Sequence, residues 1–112
     1  MKKEIEFYPT KIYEKNVKLL AKKYPSMADD LKAFKKSLAD NPEQGVLLAG
    51  GFRKVRMAIT SKGKGKSGGA RVITLNCIIK TEVESIILVT IYDKDRQESI
   101  SNKEIGDALN TL

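Results

Sequence analysis

The sequence predicts an α+β fold: a small, mainly antiparallel sheet of about four strands, an N-terminal helical hairpin packed on it, and a short C-terminal helix. Three observations carry this. Apolar residues recur at helical spacing in two stretches between Lys11 and Leu38. From Gly51 to Tyr92 the pattern changes to alternating or continuous β-branched runs, and after Ser101 the helical spacing returns. With 112 residues the chain forms one domain, 1–112, around a single small core.

Taken in order, Lys3 to Tyr8 sets Ile5 and Phe7 against Glu4 and Glu6 with the period of a strand, and Pro9 ends it. Thr10 is placed to cap a helix from Lys11 to Tyr24. Its apolar stripe is Tyr13, Val17, Leu20 and Tyr24, with five lysines largely outside it. Ser26 and Asp29 resemble a capping box for a second helix whose inner face is Met27, Leu31, Phe34 and Leu38, stopped at Asp40-Asn41-Pro42.

A turn from Pro42 to Gly51 leads to a run in which Val55, Met57 and Ile59 alternate with Phe52, Lys54, Arg56 and Ala58, so one strand face is core and the other basic. A Gly-Lys loop, Thr60 to Gly69, joins it to the run ARVITLNCII, which opens with Ala70 and Arg71. Glu82 to Ser85 make the next turn. Ile86 to Tyr92 is a central strand covered on both faces. Ser101 with Glu104 forms a second capping box, Ile100 and Ile105 a hydrophobic staple, and Ala108, Leu109 and Leu112 the apolar face of the last helix.

Charge is distributed unevenly along this order. Of the net +7, residues 1–49 carry +3, residues 50–80 carry +8 and residues 81–112 carry −4. The central segment holds eight basic residues and no acid, an electrostatic footprint for phosphate. No apolar run approaches the ~20 residues of a membrane span, and no signal-peptide core follows the charged N-terminus, so a cytoplasmic protein with no membrane partner is expected.

Histidine is absent, which removes the commonest general base and metal ligand. The single cysteine, Cys77, lies in an apolar strand and reads as a buried, inert thiol. Gly63, Gly65 and Gly68 fit GxGxxG, and Gly65-Lys66-Ser67 imitates the end of a Walker A loop, but a strand follows them and no helix, so neither nucleotide motif stands. Asp93 and Asp95 have no converging acids; they are expected to position Lys94 and Arg96 through local ion pairs, and neither metal nor cofactor is expected.

What remains is the cluster Arg53, Lys54, Arg56, Arg71 and Lys94, which a mixed sheet could gather on one concave face. Were RNA the ligand, its own 2′-hydroxyl could attack the adjacent phosphate without a metal. Arginine suits the growing phosphate charge, and a lysine crowded by cations can act as base. On chemistry alone the cluster serves equally a surface that holds RNA without cutting it.

The run GGFRKVRMA, then GKGKSGGARVI, then ILVTIYDK and the terminal Ser101-x-x-Glu104 helix resembles the RelE/ParE toxin superfamily, most of all its HigB branch, over roughly residues 44–109. The resemblance implies a RelE-like sheet with two helices against it, in a type II toxin that cuts messenger RNA on the ribosome and is neutralised by a cognate antitoxin carrying a helix-turn-helix domain. It implies catalytic roles for Lys54, Arg56, Arg71 and Lys94, with Arg71 on the scissile phosphate. Arg53, Lys62, Lys64, Lys66 and Arg96 would then grip ribosomal or messenger RNA. The chain departs from the pattern in having Thr74, Leu75 and Asn76 where aromatics are common, and in lacking a terminal Tyr or His after Lys94; Tyr92 is the nearest phenol. The alternatives are a ParE-like topoisomerase inhibitor and a non-catalytic RNA or antitoxin binder of the same fold.

Overall fold

Five strands form one mixed sheet: β1 (Glu4–Pro9), β2 (Val46–Leu47), β3 (Phe52–Met57), β4 (Ala70–Lys80) and β5 (Val83–Asp93), in the spatial order β1-β5-β4-β3-β2. They are seen in a computed structural model that describes residues 4–63, 65–80, 82–97 and 99–112. Helices α1 (Lys11–Lys23) and α2 (Met27–Asp40) precede β2, a single helical turn α3 (Gly65–Gly68) lies between β3 and β4, and α4 (Asn102–Leu109) follows β5.

The α+β class is as expected, but the sheet is larger and less uniform. β2 to β5 form antiparallel pairs, whereas β1 runs parallel to β5 along its outer edge, from Glu4 opposite Val83 to Pro9 opposite Leu88. β2 was hidden inside the expected Pro42–Gly51 turn because two residues are too few to show a period. The expected Glu82–Ser85 turn is also shorter, since β5 already pairs at Val83. Polar residues misled there: Glu84 and Ser85 are buried, and Glu84 Oε2 accepts from Asn76 Nδ2 at 2.8 Å.

Both sheet faces are covered, which accounts for the unbroken apolar run in β5. Tyr13, Met27, Phe34 and Leu38 of the two N-terminal helices pack on Val55, Met57, Val72, Leu88 and Ile91. On the reverse face Ile105 and Ala108 of α4 pack on Ile73, Val89 and Tyr92. Of the stripes foreseen for α1 and α2, Tyr13, Met27, Phe34 and Leu38 are buried and Val17, Leu20, Tyr24 and Leu31 pack against them half-buried, while Leu112 stays exposed and Cys77 is only half-buried.

Two of the three expected caps form. Thr10 Oγ1 accepts from Tyr13 N–H at 3.0 Å and donates to Val89 O at 2.7 Å, tying the start of α1 to β5. Ser101 Oγ accepts from Glu104 N–H at 3.1 Å. The Ser26–Asp29 box does not form, because the Ser26 hydroxyl is drawn away to Asp30 at 2.6 Å and accepts from Ser61 N–H at 2.9 Å. Among the described residues, no helix is long and apolar enough to cross a membrane.

Candidate functional site

Antiparallel pairing of β3 with β4 sets Arg56 directly opposite Arg71, and pairing of β4 with β5 sets Arg71 opposite Tyr92. These three side chains form one row across one sheet face, with Lys54 two residues along β3 on the same face. The parity that groups Arg71 with Ile73 and Leu75 is thus the same parity that groups Lys54 with Arg56. That face is apolar where α4 covers it and basic where α4 does not reach.

Beyond the helix, Lys54, Arg56, Lys66 and Arg71 line a hollow of about 450 Å³, closed on the other side by Gln44, Gly45 and Val46. Among the described residues of its wall there is no carboxylate. Lys54 is half-buried and Arg56 exposed, and no hydrogen bond or ion pair to another described residue engages either side chain. Their charge faces the hollow unneutralised. Gln44, Gly45 and Val46 could not have been found by sequence, since the segment carrying them had no recognisable period.

Arg71 is different. Its guanidinium is almost wholly buried and donates to Lys66 O and Ala70 O at 3.1 Å and to Ser67 O at 3.0 Å. A cation opposite Arg56 would be repelled at the surface; turned inward it meets the carbonyls that end the α3 turn, the end of a helix that favours positive charge. Arg71 therefore moulds the wall from behind and brings only part of its charge to the surface.

The remaining predicted residues do not join this hollow. Arg53 points to the other face and donates to Glu43 O at 2.8 Å. Arg96 lines a separate groove against α1 with Asn16, Leu19, Leu20, Lys22 and Lys23. Lys94 donates its backbone N–H to Gly69 O at 3.1 Å and is not in the described wall. Lys64 lies outside the described residues. The expectation that one concave face gathers all five cations of the cluster is corrected to three of them, Lys54, Arg56 and the largely buried Arg71, joined by Lys66 of α3.

Lys62 is a second correction. Expected to grip RNA, its ammonium is instead buried at 6% side-chain exposure, 2.8 Å from both Asp93 Oδ1 and Asp95 Oδ2. It also lies over the Tyr24 ring. The two acids expected to position Lys94 and Arg96 thus both hold Lys62. Desolvation acts to lower its pKa, but the two carboxylates outweigh that and raise it. Tyr92 packs in the α4 core with its hydroxyl unpartnered among the described residues. Burial raises its pKa, with the Arg71 guanidinium pulling the other way.

Beside the hollow, burial works against the Asp30 carboxylate, yet hydrogen bonds from Ser26 and from the Thr60 hydroxyl and N–H prevail and lower its pKa. Because the folded value lies below the unfolded one, this stabilisation is complete above the ordinary carboxylate range and is lost as pH falls through the folded value. Asp30→Asn is accordingly expected to be less stable than wild type at pH 7, and the gap should close below about pH 4 in thermal melts. An unchanging gap would mean that the carboxylate's charge contributes nothing.

Fold and site together define a small α+β protein with a cationic hollow on its mixed sheet and no carboxylate among the described residues of the wall. No family model matches the chain.

Proposed function

We propose that this chain is the toxin of a type II toxin–antitoxin pair, RelE- and HigB-like in fold, that cuts messenger RNA on the ribosome in the cytoplasm without a metal. The observation that carries this reading is the meeting of Lys54, Arg56 and Lys66 over Arg71 in a hollow with no carboxylate in its described wall. Such a wall attracts anions, and it suits a sugar-phosphate backbone, whose charge recurs at every nucleotide.

In this reading the 2′-hydroxyl of the bound RNA attacks the adjacent phosphate, giving a cyclic phosphate and a free 5′-hydroxyl. Arg56 stabilises the charge that grows on the phosphorane oxygens, since its planar fork matches two of them. Lys54, which lines the same wall, takes the role of acceptor for the hydroxyl proton. Arg71 holds the α3 turn that presents Lys66, and Lys94 would need to reach in from the end of β5 to protonate the leaving oxygen. Its partner would be an antitoxin with a helix-turn-helix domain.

Lys54 and Arg56 are the informative positions to change, because Arg71→Ala would also strip hydrogen bonds from the α3 turn. With purified ribosomes and a defined message, Arg56→Ala is expected to slow cleavage by about a hundredfold, the scale of one charge-stabilising donor. Ribosome binding should fall far less. The engagement of Arg71 by backbone carbonyls favours a second reading, a non-catalytic RNA binder; equal losses of binding and cleavage, or no cleavage by wild type, would establish it. Intact messages with DNA-damage signalling after induction would point to a ParE-like topoisomerase inhibitor.

A further inference from the structure

A smaller hollow, of about 170 Å³, adjoins the cationic one, and Gln44, Arg56 and Lys66 line both. Its floor is apolar: Ala33 and Phe34 of α2 face Met57 and Ala58 at the end of β3. Its rim is polar. Ser37 lies there, hydrogen-bonded to Gln44 Nε2 at 3.0 Å. The main chain of Arg56 adds a donor and an acceptor. On the outer edge of β3, Phe52 O accepts from Leu48 N–H, so the period of two turns the N–H and C=O of Arg56 to the same edge. β2 covers only Arg53 and Lys54, and stops short of it.

Charge separates the two hollows. The larger has no carboxylate in its described wall, whereas the smaller includes Asp30, whose oxygens accept from Ser26 and Thr60. A phosphate is drawn more strongly to the larger hollow, where four cations and no described acid line the wall, than to the smaller, where Asp30 offsets part of the charge of Arg56 and Lys66. An uncharged, flat, partly polar group meets no such penalty.

We infer that the smaller hollow receives a single-ring nucleobase of an RNA nucleotide whose phosphate lies against Lys54 and Arg56. This rests on the reading of the cationic hollow as an RNA site. A cavity of about 150 Å³ takes up one benzene ring; the hollow here is of similar size and open on one side, so it matches a single ring, and the second ring of a purine would project from its mouth. The base would lie on the Ala33–Met57 floor with its polar edge toward Gln44, Ser37 and the Arg56 main chain. The site would therefore prefer pyrimidine at one position of the message.

The test is binding, independent of cleavage. Fluorescent RNA pentamers, abasic except at the centre, carry uracil, adenine or no base there. Wild-type protein is expected to bind the uracil pentamer about tenfold more tightly than the abasic one, the scale of seating one base, with adenine gaining less. Ala33→Phe, which fills the hollow from its apolar floor, should erase the difference between the uracil and abasic pentamers. Ala28→Phe, exposed on α2 but away from the hollow, should keep it. Equal affinity of wild type for all three pentamers, or an Ala33→Phe protein that still discriminates, would overturn the assignment. So would competition by uridine monophosphate at equal concentration, which would mark a free-nucleotide site. Should no message be cut while the uracil preference holds, the nuclease reading fails and the base site stands.

Discussion

Replacing Asp93 by alanine is expected to lower the stability of the protein by about 3 kcal/mol, because it strips one partner from a buried ion pair. Asp93 is 4% exposed and accepts from Lys62 Nζ at 2.8 Å, from the Tyr24 hydroxyl and from Asp95 N–H at 3.0 Å. Its removal leaves Lys62 buried with Asp95 as the remaining carboxylate among its described partners, and takes the acceptor from Tyr24. Asp95→Ala should cost under about 1 kcal/mol, since that side chain is half exposed to water. Urea denaturation distinguishes the two.

The pH dependence of the same pair has opposite signs at its two ends. Burial opposes the Asp93 carboxylate, but Lys62 and Tyr24 lower its pKa, so its contribution is complete above the ordinary carboxylate range and is lost as pH falls through the folded value. Lys62 is raised, so its contribution is complete below the ordinary lysine value and is lost as pH rises through the folded one. Asp93→Ala should flatten both flanks of the stability profile. Two unchanged flanks would show that the pair does not hold the Thr60–Lys62 turn to β5.

Gly69→Ala is expected to cost more than about 3 kcal/mol, beyond ordinary overpacking, and to disable the hollow with it. A Cβ at Gly69 would lie 2.1 Å from Met57 O and 2.9 Å from Ile59 N, main-chain atoms that no rotamer change can move. Relief requires the start of β4 to shift, and Arg71 lies two residues further on. Gly63→Ala provides the contrast: its φ of +72° strains any other residue, but nothing lies within 4 Å, so about 1 kcal/mol is expected. If thermal melts of the two variants coincide, the close approach of β3 and β4 at this corner is wrong.

Much of the fold was legible because its signals are local. The stripes Tyr13-Val17-Leu20-Tyr24 and Met27-Leu31-Phe34-Leu38 repeat within a few turns, and Thr10 and Ser101 cap helices through bonds three residues long. The basic face of β3 was legible for the same reason: burial of Val55 and Met57 turns Lys54 and Arg56 outward. Their meeting with Arg71 followed from a hairpin. The Ser26 box failed because the hydroxyl donates to Asp30 instead and accepts from Ser61, a partner 35 residues away.

By itself the sequence determined the α+β class, the acid-free segment and the strand face that carries Lys54 and Arg56. Those properties depend on periodicity and composition, which neighbouring residues impose on one another. Which cations stay available was decided only by the tertiary structure. Lys62 is neutralised by acids more than thirty residues away, and Arg71 is turned inward by the carbonyls of a turn that no residue pattern announces. Charge along a chain is additive, but an ion's partners are selected by folding, and a lysine read as surface charge can become an internal tie.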